Sequence, residues 1–152
     1  MRVYYTLRHL LRSHEVTLYT LASEPKVRWQ SHHPDLSGLK QKTFQMGKRA
    51  FVQNSATAFF SDLPLQVALY QCPELVHTLD SDIRGGAYDL LFVHLIRMAE
   101  YARPYHHLPR ILDMADSIYQ HYARMRQIWW SPWWVGARMD RERVRRYEAK
   151  VP

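Results

Sequence analysis

The run Tyr88-Asp89-Leu90-Leu91-Phe92-Val93-His94 constrains this chain more than any other stretch. It is short and almost continuously apolar, the pattern a strand needs when both its faces are buried in a parallel sheet, and a central position is expected for it. A second run of the same kind, Arg110-Ile111-Leu112-Asp113-Met114, stands behind Pro109, after a helical turn from Ile96 to Ala102 and the breaker Arg103-Pro104. Nearer the start, Val16 to Ala22 (VTLYTLA) has the β-branched, period-two character of a strand, and Lys42 to Met46 reads as another short one. Helical spacing fills the intervals. Val3, Leu7, Leu10 and Leu11 mark a helix over 3–13, residues 48–60 are helical in character, and Pro64 and Pro73 start helices that run to Tyr70 and through Leu75, Val76 and Leu79. The turn Arg84-Gly85-Gly86 leads into the first apolar run, and helices over 117–128 and 137–150 close the chain. Helices alternating with short buried strands predict an α/β sandwich of three layers with a mostly parallel sheet.

The chain has 152 residues, enough for one ordinary domain, and 47% of them are apolar against 23% charged, a globular composition that excludes a disordered tail or a collagenous repeat. Its single cysteine, Cys72, excludes a disulfide scaffold and reads as a small buried hydrophobe in a reducing compartment. A cytoplasmic location is expected. The amphipathic N-terminus has no signal-type apolar region, and no apolar run approaches the about 18 residues that cross a bilayer. The net charge of +7 favours an anionic partner without choosing among phospholipid, nucleic acid and phosphorylated substrate.

In open parallel sheets ligands bind beyond the carboxyl ends of the strands. Two such ends carry polar groups: His94 with Arg97 after the strand over 88–94, and Asp113 with Asp116 and Ser117 after the strand over 110–114. A guanidinium matches phosphate oxygens and carboxylates accept paired hydroxyls, so this set suits a sugar or a phosphate. The structural alternative weighs as much: Asp116 or Ser117 caps the following helix, and His94 only ends a strand. The pairs His32-His33 and His106-His107 come without the spacing of a ligand set, so no metal site is expected. There is no P-loop, no G-x-G-x-x-G and no nucleophile elbow.

The C-terminal segment 129–152 joins aromatic and basic residues. Trp129, Trp130, Trp133 and Trp134 beside Arg138, Arg141, Arg143, Arg145 and Arg146 suit contact with an anionic membrane surface. Alternatively the tryptophans pack on the sheet while Asp140, Glu142 and Glu148 pair with the arginines. Nucleic-acid binding requires a recognisable module besides charge, and none is present.

The order of these segments, with FFSDLPLQVALY, YDLLFVHLIRMAEY, RILDMADS and an arginine-rich RRYE helix, resembles the N-terminal domain of family 4 GT-B glycosyltransferases, nearest the sugar transferases of exosortase and exopolysaccharide loci. The resemblance covers nearly the whole chain, and SDLPLQVALY, YDLLFVHLIRMAEY and LDMADS are its most specific pieces. It implies a Rossmann-like half of a GT-B fold, as a single partial domain over 1–152. It also implies a retaining transferase that moves a sugar from a nucleotide-sugar donor to a lipid-linked or polysaccharide acceptor at the inner membrane face. No cofactor is implied for this chain itself; the nucleotide sugar belongs to a C-terminal donor domain. His94, Arg97, Asp113, Asp116 and Ser117 would line the acceptor side of the cleft. Members of the family begin with a strand and a glycine-rich loop before the first helix, and neither stands ahead of that helix here. The expectation is therefore a fragment, inactive alone and marginally stable, in which the strand over 16–22 pairs directly with that over 88–94 or stands apart from it. The rival expectation is a non-catalytic module that binds a membrane surface or a protein.

Overall fold

The computed structural model describes residues 2–22, 33–114, 117–120 and 132–151. Helix α1 (Arg2–Leu10) opens the chain and ends in a turn in which the Ser13 and His14 amides both donate to the Leu10 carbonyl. Strands β1 (Thr17–Ala22) and β2 (Lys40–Gln45) follow and pair in parallel, in register from Thr17↔Lys40 to Ala22↔Gln45. Helices α2 (Lys48–Phe59), α3 (Leu65–Ala68) and α4 (Pro73–Arg84) lead to β3 (Leu91–His94). A 3-10 turn over Ile96–Met98 and helix α5 (Ala99–Ala102) lead to β4 (Arg110–Asp113), which pairs in parallel with β3 from Leu91↔Arg110 to His94↔Asp113. Residues 118–120 are helical, and helix α6 (Pro132–Lys150) closes the fold.

The class is mixed α/β and both strand pairings are parallel, but the sheet is split into two two-stranded ladders, β1–β2 and β3–β4. Of the two expected outcomes, direct pairing of β1 with β3 or separation, the described residues show the second. The expectation of a central β3 buried on both faces is corrected by the exposure of Leu90 and Phe92, and β4 leaves Ile111 exposed in the same way. In a two-stranded ladder each strand has one neighbour, and for β3–β4 the face toward α4 is the one the described helices cover. Strand periodicity sends Leu91 onto the α4 side, where it packs, and its neighbours Leu90 and Phe92 to the other side.

Among the described residues the strands of each ladder run in one direction. Leu36 and Leu39 pack in one cluster with Val16 and Leu18 and with Leu7 of α1. The Arg2 guanidinium of α1 reaches Asp113, the last residue of β4, at 2.6 Å.

One core underlies both ladders. Leu75, Leu79 and Ile83, spaced as one stripe of α4, pack with Phe44 of β2, Cys72, Tyr101 and Tyr105, and against Tyr19, Leu21, Tyr88 and Leu91 from both sheets. Each fully buried leucine of that stripe contributes about 1.5–3 kcal/mol by its removal from water. Gly86 adopts φ +70°, a conformation side chains disfavour, and lets the chain turn from α4 toward β3. Val67, Ile96, Ile118, Val144 and Tyr147 form a further cluster that holds α6 against α3 and the 3-10 turn. The C-terminal helix starts at Pro132 rather than near 137, because a proline fits the first turn. Among the described residues no helix is long and apolar enough to cross a membrane.

Candidate functional site

The parallel register places His94 and Asp113 side by side at the carboxyl ends of β3 and β4. His94 Nδ1 and Asp113 Oδ2 lie 3.0 Å apart. A carboxylate accepts, so Nδ1 carries the hydrogen and, in the neutral ring, Nε2 keeps its lone pair. The other Asp113 oxygen, Oδ1, accepts from Arg2 Nη2, and the Asp113 backbone carbonyl accepts from the Leu95 amide at 3.0 Å. Asp113 is largely enclosed while Arg2 is exposed, so the guanidinium covers the carboxylate from the solvent side.

Leu95, next along, has φ 71° and ψ 137°. A leucine in that region stores roughly 1–3 kcal/mol of strain, of a kind that clusters at functional sites. The chain then tightens into the 3-10 turn that carries Arg97. Its guanidinium carbon lies 5.0 Å from the centre of the Tyr70 ring, and its Nε is buried with no hydrogen-bond partner. Buried guanidinium donors are ordinarily paired, so Arg97 retains a binding capacity that the described residues do not use.

The remaining expected residues are placed otherwise. The Ser117 hydroxyl accepts from the Gln120 amide at 3.1 Å and donates to Glu148 of α6 at 2.8 Å, while Glu148 also accepts from the Tyr119 amide. Ser117 is thus a helix cap and a joint to α6, the structural alternative named for it. Asp116, Trp129 and Trp130 lie outside the described residues, and Trp133, Trp134 and Arg138 are described only as backbone of α6. Arg141 is exposed, donates to the Tyr119 hydroxyl at 3.0 Å and stacks on that ring. Arg145 and Arg146 face Glu142 at 4.0 and 3.1 Å, the local pairing expected of a solvated face. Asp140 instead turns inward, is buried, and accepts from the Leu65 amide at 2.8 Å. Among the described residues no three His, Cys, Asp or Glu side chains converge as a metal site would require.

Sequence reading missed Arg2, Leu95 and Tyr70. Arg2 and Asp113 are joined only through the parallel stacking of the whole fold, and nothing local to Leu95 announces a positive φ. The reading also missed a second polar knot, at Asp82 of α4, which accepts from the Tyr19 hydroxyl and from Lys42. The Lys42 hydrogen bond, with that from Tyr19, holds the Asp82 carboxyl below its ordinary range. Burial first, and then the bonds to Asp82 and Tyr88, push the Tyr19 phenol up. The knot ties β1 and β2 to α4. Comparison of the chain with protein-family models, with curated proteins and with solved structures finds no match.

Proposed function

We propose that this chain is the acceptor-side domain of a family 4 GT-B glycosyltransferase, a Rossmann-like half-fold. The transferase would move a sugar from a nucleotide-sugar donor to a lipid-linked or polysaccharide acceptor at the cytoplasmic membrane face. The observation that carries the reading is the side-by-side placement of His94 and Asp113 at the carboxyl ends of two parallel strands. The strained Leu95 and the incompletely used Arg97 guanidinium in the following turn support it.

In this reading Asp113 accepts an acceptor hydroxyl, with Arg2 displaced from one carboxylate oxygen. His94 is oriented by Asp113 and offers Nε2 to a second hydroxyl, and Arg97 takes a phosphate of a lipid-linked acceptor. The donor and its groups come from a partner domain, so the chain alone binds without turning over. The test is saturation-transfer NMR of the full chain with a panel of hexoses, disaccharides and sugar 1-phosphates. Saturation transfer to some of these that is lost in Asp113→Asn and His94→Gln, with circular dichroism unchanged, is the expected result. Transfer to none of them, or equal transfer in both variants, would sink the proposal and favour a non-catalytic binding module.

A further inference from the structure

Strand periodicity fixes what lies beside His94 and Asp113. Side chains alternate along a strand, and in the parallel register Phe92 stands opposite Ile111 and His94 opposite Asp113. All four share the face of the β3–β4 ladder turned away from α4, since Leu91 packs on the α4 side. By the same count Leu90 and Pro109, two residues back from Phe92 and Ile111, fall on that face as well. The face is divided. Its carboxyl end is polar, with His94 Nδ1 on one Asp113 oxygen and Arg2 on the other. Its amino end is an apolar strip open to solvent: Leu90 is 45% exposed, Phe92 39% and Ile111 47%, and Pro109 is exposed beside them.

Single exposed apolar side chains are ordinary, whereas a contiguous group marks a contact. Here contiguity follows from the register, because side chains directly opposed on neighbouring strands stand about 5 Å apart. Chemistry and width then select the occupant. A polysaccharide carries hydroxyls on every ring, and rings continuing past His94 and Asp113 would set those hydroxyls over side chains that neither donate nor accept. A hydrocarbon chain has no such groups and gains by leaving water. A helix about 10 Å across needs a wider bed than two strands about 5 Å apart, and α4, on the other face, draws its packing from both ladders.

We infer that the strip of Leu90, Phe92, Pro109 and Ile111 holds the hydrocarbon chain of a lipid-linked acceptor whose head group sits at His94 and Asp113. The inference rests on the acceptor reading of that pair and narrows it from a lipid-linked or polysaccharide acceptor to the lipid-linked class. The chain leaves the polar end and runs back along the ladder toward the amino ends of β3 and β4. Lying on one face, it is covered on one side, so each methylene tightens binding about twofold, the square root of the gain that full burial gives.

The probes are the methyl, butyl and hexyl glycosides of glucose, galactose and mannose, titrated below their micelle concentrations into the isotope-labelled full chain while amide shifts are followed by NMR. Five added methylenes should make a hexyl glycoside bind about thirtyfold more tightly than the methyl glycoside of the same sugar. The shifts should spread from His94 and Asp113 to Phe92, Ile111 and Leu90. Phe92→Thr with Ile111→Thr keeps β-branched side chains in both strands. This double variant should keep the circular dichroism and the methyl glycoside affinity and lose most of the hexyl advantage. Equal affinity for methyl and hexyl glycosides in the native chain would overturn the inference and leave the acceptor reading standing, and that comparison needs no variant to fold. Binding of no glycoside at any chain length would remove both. A hexyl advantage undiminished in the double variant would place the chain elsewhere, and hexyl affinity unchanged in Asp113→Asn would mean a strip that takes hydrocarbon without the head group; either result overturns the inference. A native dimer in sedimentation that the double variant dissociates would give the strip to a second copy of the chain and overturn it too.

Discussion

Tyr101 shows how much one hydroxyl can hold. It accepts from the Cys72 amide and donates to the Tyr70 carbonyl, both at 2.7 Å, closing the junction between α3 and α4 from a position on α5. Tyr101→Phe leaves a buried amide without its acceptor, so a loss of about 1–3 kcal/mol is expected in chemical denaturation, with little change in secondary structure. Burial pushes the Tyr101 phenol up to about 12. A raised phenol means that the unfolded chain loses this proton first, near pH 10, and the folded chain later. Stability therefore falls as pH rises from about 10 to about 12 and is untouched by this group below that range. Tyr19 and Tyr147, also raised chiefly by burial, act in the same direction. Urea midpoints measured across this range should fall in the native chain and fall less in Tyr101→Phe; equal slopes would refute the assignment. His94 and Asp113 were legible in the sequence because each ends an apolar run, and strand ends in a parallel fold are where ligands sit. Arg2 was not, because its pairing with Asp113 depends on how distant segments stack.

At the scale of the element, helical phase separates neighbours that composition treats alike. Leu75 is 1% exposed and Val76 is 42% exposed, although both belong to the apolar run that marked α4 in the sequence. Leu75→Ala should cost about 2–5 kcal/mol, as cavities in a packed core do. Val76→Ala should stay within about 0.5 kcal/mol, and denaturant titration of the pair decides whether α4 is phased as described. Helix ends were less legible. Pro64 precedes α3 and has no side-chain acceptor to offer its first amide, so Asp140 of α6 supplies one to Leu65 from far along the chain. Asp140→Ala should cost roughly 1–2 kcal/mol and raise exchange across α6; unchanged α6 protection would show that other contacts dock the helix. The exposed arginines of α6 carry the membrane expectation. If the proposed location holds, Arg141→Glu with Arg145→Glu lowers sedimentation with phosphatidylserine vesicles and leaves the neutral-vesicle baseline unchanged, and added salt has the same effect. Binding that ignores both changes would remove α6 from the membrane contact.

The whole molecule is decided by what local signals do not carry. Apolar periodicity located all four strands to within a few residues, because that pattern is local. The split into two ladders was open in the sequence, since strand pairing joins segments as distant as Leu18 and Gln41 or Phe92 and Ile111. A parallel pair is slightly weaker per residue than an antiparallel one, and two-stranded ladders rely on the surface beneath them. Here that surface is shared: α4 and the Asp82 knot hold β1 and β2, while β3 and β4 keep Phe92 and Ile111 in water on the far side. The chain alone should be marginally stable, with a melting temperature below about 45 °C, under the usual range for ordinary domains. Amides of Leu79 and Ile83 should exchange only on global unfolding. Calorimetry with a concentration series separates the outcomes. A low, broad transition fits the split sheet, and a midpoint that rises with concentration means that copies of the chain stabilise one another. A cooperative, concentration-independent melt of a monomer above about 65 °C would mean that the ladders are held by more than α4 and that the sheet edges cost the fold little.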